Sequence, residues 1–217
     1  MKSRLFCLCM IFALLRLSSH PASAQEPEGA RHPTQASPLE TTYRGGLVTP
    51  PVPKPRLTLT NTEGTRYDFW SATQGYVTLL FFGYTHCPDV CPMHMAALST
   101  ALRKLPAPVT ERIKLVFVTT DPTRDNPKAL RTWLDHFDKR FIGLTGSEAE
   151  IEAAQSAARV PRAGESGTGH AAFLLAYTID NLAHVIYPFG VSETDWLHDL
   201  PPLVKEDWKV PGHGSAR

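Results

Sequence analysis

Seven residues, Tyr76–Phe82 (YVTLLFF), are apolar at every position except Thr78. A strand with one wet face alternates apolar and polar residues, whereas a near-continuous apolar run belongs to a strand covered on both faces. Ile113–Thr119 (IKLVFVT) repeats the pattern. Two such strands demand a sheet with helices on both sides, and the sequence supplies them. Met95, Leu98, Leu102 and Leu105 recur at helical spacing across Cys91–Leu105, with Pro92 suited to a first turn. Leu130, Trp133, Leu134 and Phe137 share one helical face across Pro127–Lys139. Phe141–Leu144 predicts a short strand, and Ser147 with Glu150 predicts a capping box opening a helix to about Ala158. Ala171–Ile179 and Ala183–Pro188 flank Asp180-Asn181 as a closing hairpin. Ser192 with Asp195 caps a last helix, which Pro201-Pro202 are expected to break or restart. Upstream, Arg56–Thr60 alternates, Asn61–Gly64 turns, and Thr65–Phe69 returns as a hairpin. Strands alternating with helices define an α/β sandwich: a central mixed sheet flanked by helices, with an N-terminal hairpin extension.

The chain does not begin with this pattern. Lys2 and Arg4 precede an apolar stretch from Leu5 to Leu17, and Ala22-Ser23-Ala24 supplies small residues for a signal peptidase. The reading is a secretory signal peptide over residues 1–24, cleaved after Ala24. A retained membrane anchor is the alternative, disfavoured because the run is too short to span and carries Arg16 at its far end. Residues 25–55 are rich in Pro, Ser, Thr and Gly and end in Pro50-Pro51-Val52-Pro53-Lys54-Pro55, which predicts a flexible leader stiffening toward polyproline. The folded domain is then expected over 56–208, with a frayed tail at 209–217.

Removing the signal alters the chemistry of what remains. Lys+Arg falls from 22 to 19 against 21 Asp+Glu, so the formal charge moves from +1 to −2. Neither value suits a protein held on nucleic acid by bulk electrostatics. Cys7 and Cys9 leave with the signal, and Cys87 and Cys91 remain as one pair in an exported chain. An oxidising compartment turns close thiols into disulfides unless something keeps them reduced.

The pair sits in Phe81–Pro92 (FFGYTHCPDVCP), where a buried strand runs out into the start of a helix. The partial positive charge of a helix N-terminus favours thiolate, the form that attacks disulfides and binds metal. Three residues separate the cysteines, one more than in a C-x-x-C dithiol motif. That spacing lets both sulfurs reach one metal ion and also permits a disulfide. Two soft thiolates select Cu(I) or Zn, and the coordination sphere needs a third donor. The candidates are His86, Met93, His94, Met95, His170 and His184. His94 lies near the same helical stripe, while His170 follows a Gly-rich loop (163–169) and opens a strand. Spacing alone leaves the choice open. His136, His198 and His213 read as solvated residues, and His184 as part of the closing hairpin.

With these stretches in view, the chain resembles the Sco/SenC family of thioredoxin-like copper proteins. The matching segments are Phe81–Pro92, Asp121–Pro127 (DPTRDNP), His136–Gly146 (HFDKRFIGLTG), and His170 followed by a strand and Tyr187-Pro188-Phe189-Gly190. They occur in the family's order across about 56–205. Asn126 stands where the family usually has Thr. The resemblance implies a thioredoxin-like fold in which Cys87, Cys91 and His170 bind one copper ion, as Cu(I) or Cu(II). It also implies delivery of that ion to the binuclear copper centre of cytochrome c oxidase during assembly. The partners implied are the copper-receiving subunit of the oxidase, a copper donor and a thiol reductase. The signal peptide gives the expected periplasmic location, and the charge gives the expectation of no nucleic-acid partner. Asp121 and Asp125 match the family's loop near the cysteines, and Asp125 or Asn126 is expected to cap the helix opened by Pro127.

Two further functions use the same thiols. One is a thiol–disulfide oxidoreductase acting on the oxidase cysteines, with Cys87 as attacking thiolate and Cys91 as its partner. The other is a peroxidase or redox sensor. It is disfavoured because Thr85 lies two residues before Cys87 rather than three, so the peroxidatic T-x-x-C is absent. The sequence contains no G-x-S-x-G, H-E-x-x-H or G-x-x-x-x-G-K-[ST].

Overall fold

The computed structural model describes residues 43–162 and 173–208. The signal peptide, most of the expected leader, His170 and the tail at 209–217 lie outside the described residues.

Among the described residues, eight strands form one sheet, in chain order β1 (Gly46–Pro53), β2 (Thr58–Asn61), β3 (Arg66–Asp68), β4 (Val77–Gly83), β5 (Ile113–Thr119), β6 (Ile142–Thr145), β7 (Phe173–Tyr177) and β8 (Leu182–Pro188). Their spatial order is β1-β8-β7-β4-β5-β6-β2-β3. β4, β5 and β6 are parallel neighbours, and the other pairings are antiparallel, so the sheet is mixed as expected. Every residue of β4 is buried, which is what its apolar run required.

The helices are α1 (Phe69–Ala72), α2 (Val90–Lys104), α3 (Ala107–Thr110), α4 (Pro127–Asp135), α5 (Glu148–Ala157) and α6 (Glu193–Lys205). Two hydrophobic cores lie among them. One gathers Leu79, Phe81, Cys91, Met95, Leu98, Phe117 and Trp196; the other gathers Leu80, Phe82, Val116, Val118 and Ile151. The alternation along β4 and β5 divides their side chains between the two. Both expected capping boxes form, at Ser147–Glu150 and Ser192–Asp195.

Three expectations need correction. The stretch 25–55 is not leader throughout: Gly46–Pro53 is β1, paired with β8. Its prolines fit an edge strand, which pairs on one side only, and the register is irregular between Leu47 and Val52, where Pro50 and Pro51 lie. The preceding residues are held by Asp199, fully buried on α6, which accepts from the amides of Arg44 (2.9 Å) and Gly45 (3.0 Å) and from the Tyr187 hydroxyl (2.9 Å). α4 ends at Asp135 rather than near Lys139. α6 runs through Pro201 and Pro202 without a break. The burial of Trp196, Leu200, Leu203 and Val204 outweighs the two missing amide donors.

Candidate metal centre

β4 ends at Gly83, and the chain turns through Tyr84–Asp89 into α2. The Cys87 amide donates to the Tyr84 carbonyl (3.2 Å), which closes this turn. Asp89 caps α2, accepting from the Val90 amide at 2.6 Å. Cys87 therefore precedes the helix and Cys91 is its second residue. The Cys91 amide donates to the Cys87 sulfur at 3.4 Å, which places the first thiol at the helix N-terminus. Both cysteines are free and buried, at 5% and 2% exposure.

The surroundings of Cys91 are apolar. A Cβ placed on Gly83 would stand 2.8 Å from the Cys91 sulfur, 2.7 Å from Phe81 and 3.1 Å from Phe117. Glycine at this position is what lets the sulfur pack against the end of β4. Burial pushes the Cys91 thiol well above its ordinary range, and a hydrogen bond with the Tyr84 backbone offsets only part of this. The expectation of a thiolate favoured by the helix terminus is reversed at this sulfur, because desolvation is the larger effect. Burial, then the nearby sulfurs, also raises the Tyr84 phenol.

The turn is braced from the loop between β5 and α4. Asp125, fully buried, accepts from the Thr85 amide (2.9 Å), the Thr85 hydroxyl (2.5 Å) and the Thr119 hydroxyl (2.7 Å). Its Oδ1 also lies 3.8 Å from Nδ1 of His86. Asn126, not Asp125, caps α4, accepting from the Ala129 amide at 3.0 Å. The sequence contained Thr85 and Asp125 but no local signal that joined them, since they stand 40 residues apart. Asp121 pairs with Arg124 in the same loop.

The other candidate donors fall elsewhere. His94 is buried on α2 between the rings of Phe81 (5.4 Å) and Phe189 (6.1 Å). His184 bonds Asp180 at 2.8 Å and stacks on Trp208, within the closing hairpin region as expected. Met95 is in the core and Met93 is exposed. Among the described residues, no three His, Cys, Asp or Glu side chains form a group able to hold a metal ion. Cys87 and Cys91 thus stand as a pair of free, buried thiols, and His170 lies outside the described residues.

A mixed sheet with a thiol pair where a central strand meets a helix defines a thioredoxin-like α/β protein. This chain belongs to the SCO1/SenC family, whose model matches residues 51–186. A putative copper-binding protein of Stutzerimonas stutzeri is 40% identical over 83 residues, 38% of this chain and 41% of that relative. The chain thus spans about two fifths of that curated relative's length. The structure of Bradyrhizobium japonicum ScoI with copper bound superposes with a TM-score of 0.59 at 28% identity, covering 70% of this chain and 99% of that one. Apo Sco1 from Thermus thermophilus matches with a TM-score of 0.59 at 31% identity, covering 75% and 94%. Among the described residues, no helix is long and apolar enough to cross a membrane.

Proposed function

We propose that the protein is an exported, periplasmic copper chaperone that carries one copper ion on Cys87, Cys91 and His170. In this reading it delivers the ion to the binuclear copper centre of cytochrome c oxidase during assembly. The observation that carries the reading is the thiol pair itself: two free sulfurs, joined by the Cys91 amide contact, in a family whose Bradyrhizobium member was solved with copper. Two soft donors in an apolar, nearly dry pocket suit Cu(I). A two-sulfur half-site calls for a third donor, the role given to the imidazole of His170.

The chain's own contribution is to hold the donors. Asp125 fixes Thr85 and with it the turn that presents Cys87. The cap at Asp89 and the core around Gly83 fix Cys91. Copper uptake displaces the thiol protons, and three-coordination leaves room for an incoming sulfur before an old one departs.

A second reading, thiol–disulfide exchange on the oxidase cysteines, has one observation in its favour: the pair is asymmetric. Cys87 lies before the helix and accepts the Cys91 amide, whereas burial holds Cys91 as a thiol. Cys87 thiolate would attack a partner disulfide to give a mixed disulfide. Cys91, on losing its proton, would then displace the partner thiolate. The partner is reduced and the Cys87–Cys91 pair oxidised.

Copper titration and disulfide exchange, each measured on wild type, Cys87→Ser and His170→Ala, separate the two. Chaperoning predicts copper loss in both variants, with exchange surviving in His170→Ala. Full copper affinity in Cys87→Ser overturns it.

A further inference from the structure

Beside the thiol turn lies an open groove of about 510 Å³ that neither Cys87 nor Cys91 lines. Thr85 and His86, the two residues before Cys87, form one wall. Ala129 and the half-buried Trp133 of α4 supply apolar surface, and Trp133 is held by the rings of Phe117 (5.1 Å) and Phe137 (4.8 Å). Lys128 and His136 lie along the same helix.

Three features point to its occupant. Among the described residues, the ionisable side chains lining the groove are His86, Lys128 and His136, none of which can become negative, and no carboxylate lines it. Asp125 beneath His86 is buried and already accepts three hydrogen bonds from Thr85 and Thr119. Lys128 stands in the first turn of α4, where a cation opposes the helix dipole, and no carboxylate pairs with it among the described residues. Helix stability therefore does not account for this lysine. The volume falls in the range that encloses a ligand of a few residues rather than a single ion.

We infer that this groove docks a short acidic–apolar segment of the polypeptide that exchanges copper with the chain. The inference rests on the chaperone reading for the partner's role and deepens it by naming where the partner is gripped. Thr85-His86, part of the turn that carries Cys87, is also a wall of the groove, so a segment seated there lies beside the thiol turn. A carboxylate near Lys128 with an apolar side chain on Trp133 places the segment one residue from Cys87. Its charge selects the partner and its apolar contact fixes the register.

The test uses the full chain, reduced and copper-free, with the blocked peptide acetyl-Asp-Leu-Glu-Leu-amide as probe and its Lys-for-acid counterpart as control. Amide chemical shifts are followed by NMR during titration. The expected result is saturable shifts centred on Thr85, His86 and 128–133, with binding at least tenfold tighter than for the basic peptide and weakened by salt. Lys128→Glu is expected to lose at least tenfold in peptide affinity while its copper titration stays that of wild type. Four outcomes overturn the proposal: no saturable binding, shifts centred elsewhere, equal binding of the basic peptide, or succinate binding as tightly as the peptide. Copper uptake by the same samples is scored separately. Peptide binding without copper uptake would keep the groove and remove the chaperone reading, and copper uptake without peptide binding would do the reverse.

Discussion

Gly83 closes β4 directly against the Cys91 sulfur, so a single methyl group tests how tightly fold and site are joined. In Gly83→Ala the new carbon would stand 2.7 Å from Phe81, 2.8 Å from Cys91 Sγ and 3.1 Å from Phe117. Relief to ordinary contact near 3.4 Å requires the sulfur to move by about 0.6 Å relative to the new carbon, and the rings to give as well. Over-packing of this kind costs about 1–3 kcal/mol. For a domain of this size that lowers the thermal midpoint by about 2–4 °C per kcal/mol. If about 1 kcal/mol of the strain falls on the sulfur, copper affinity drops about fivefold. Thermal unfolding of the reduced apo-protein and a competitive copper titration read the two effects. Gly64→Ala is the control, since Gly64 has open space around it and a φ of +78°, so its cost is confined to a turn remote in sequence from the thiols. A Gly83→Ala protein as stable as wild type, and binding copper as tightly, would refute the packing described for Cys91.

Three other outcomes follow from buried polar groups. Asp125→Asn replaces an acceptor of three hydrogen bonds by a group that also donates, and is expected to cost about 2–3 kcal/mol. It should also speed alkylation of Cys87 by iodoacetamide; unchanged alkylation would show that the brace does not hold the turn. Lys54, buried against Thr73, has its pKa lowered from 10.5 to about 8, first by desolvation and then by Lys114. Below pH 8 both folded and unfolded chains carry this proton; between 8 and 10.5 the unfolded chain binds more. The Lys54 contribution to stability therefore rises with pH across that window, by at most about 3 kcal/mol, while the buried Cys91 thiol, which keeps its proton when the unfolded chain has lost it, contributes with the opposite sign. Subtracting the Lys54→Met curve from that of wild type in urea unfolding isolates the Lys54 rise. Parallel pH curves for the two proteins would contradict this. Asp199→Ala removes the acceptor for Arg44, Gly45 and Tyr187 and is expected to raise hydrogen exchange across 44–53 while leaving β4 and β5 protected. Equal loss of protection in all three segments would count against a local role.

The parts of the fold written in short-range pattern were legible in the sequence. The unbroken apolar runs of β4 and β5, the Ser-x-x-acid boxes of α5 and α6 and the turn at Asp180-Asn181 carry their geometry in adjacent residues. What escaped was decided over distance. β1 reads as polyproline because its prolines say so locally, yet pairing with β8 and the carboxylate of Asp199 hold it in the sheet. Pro201 and Pro202 signal a helix end, and buried side chains on either side override them. At the site, the Cys-x-x-x-Cys spacing was visible, but the Asp125–Thr85 brace spans 40 residues and the Gly83 contact depends on packing. Desolvation of Cys91 belongs to the core around it and has no mark in the motif itself.

In the proposed site copper is held by two sulfurs and one imidazole of this chain. X-ray absorption at the copper edge, with metal stoichiometry, on the reduced full chain and on His170→Ala tests it most directly. The expected result is one copper per chain with two sulfur neighbours and one nitrogen neighbour, and loss of that nitrogen in His170→Ala. Copper without sulfur neighbours, or a His170→Ala spectrum identical to wild type, would contradict it.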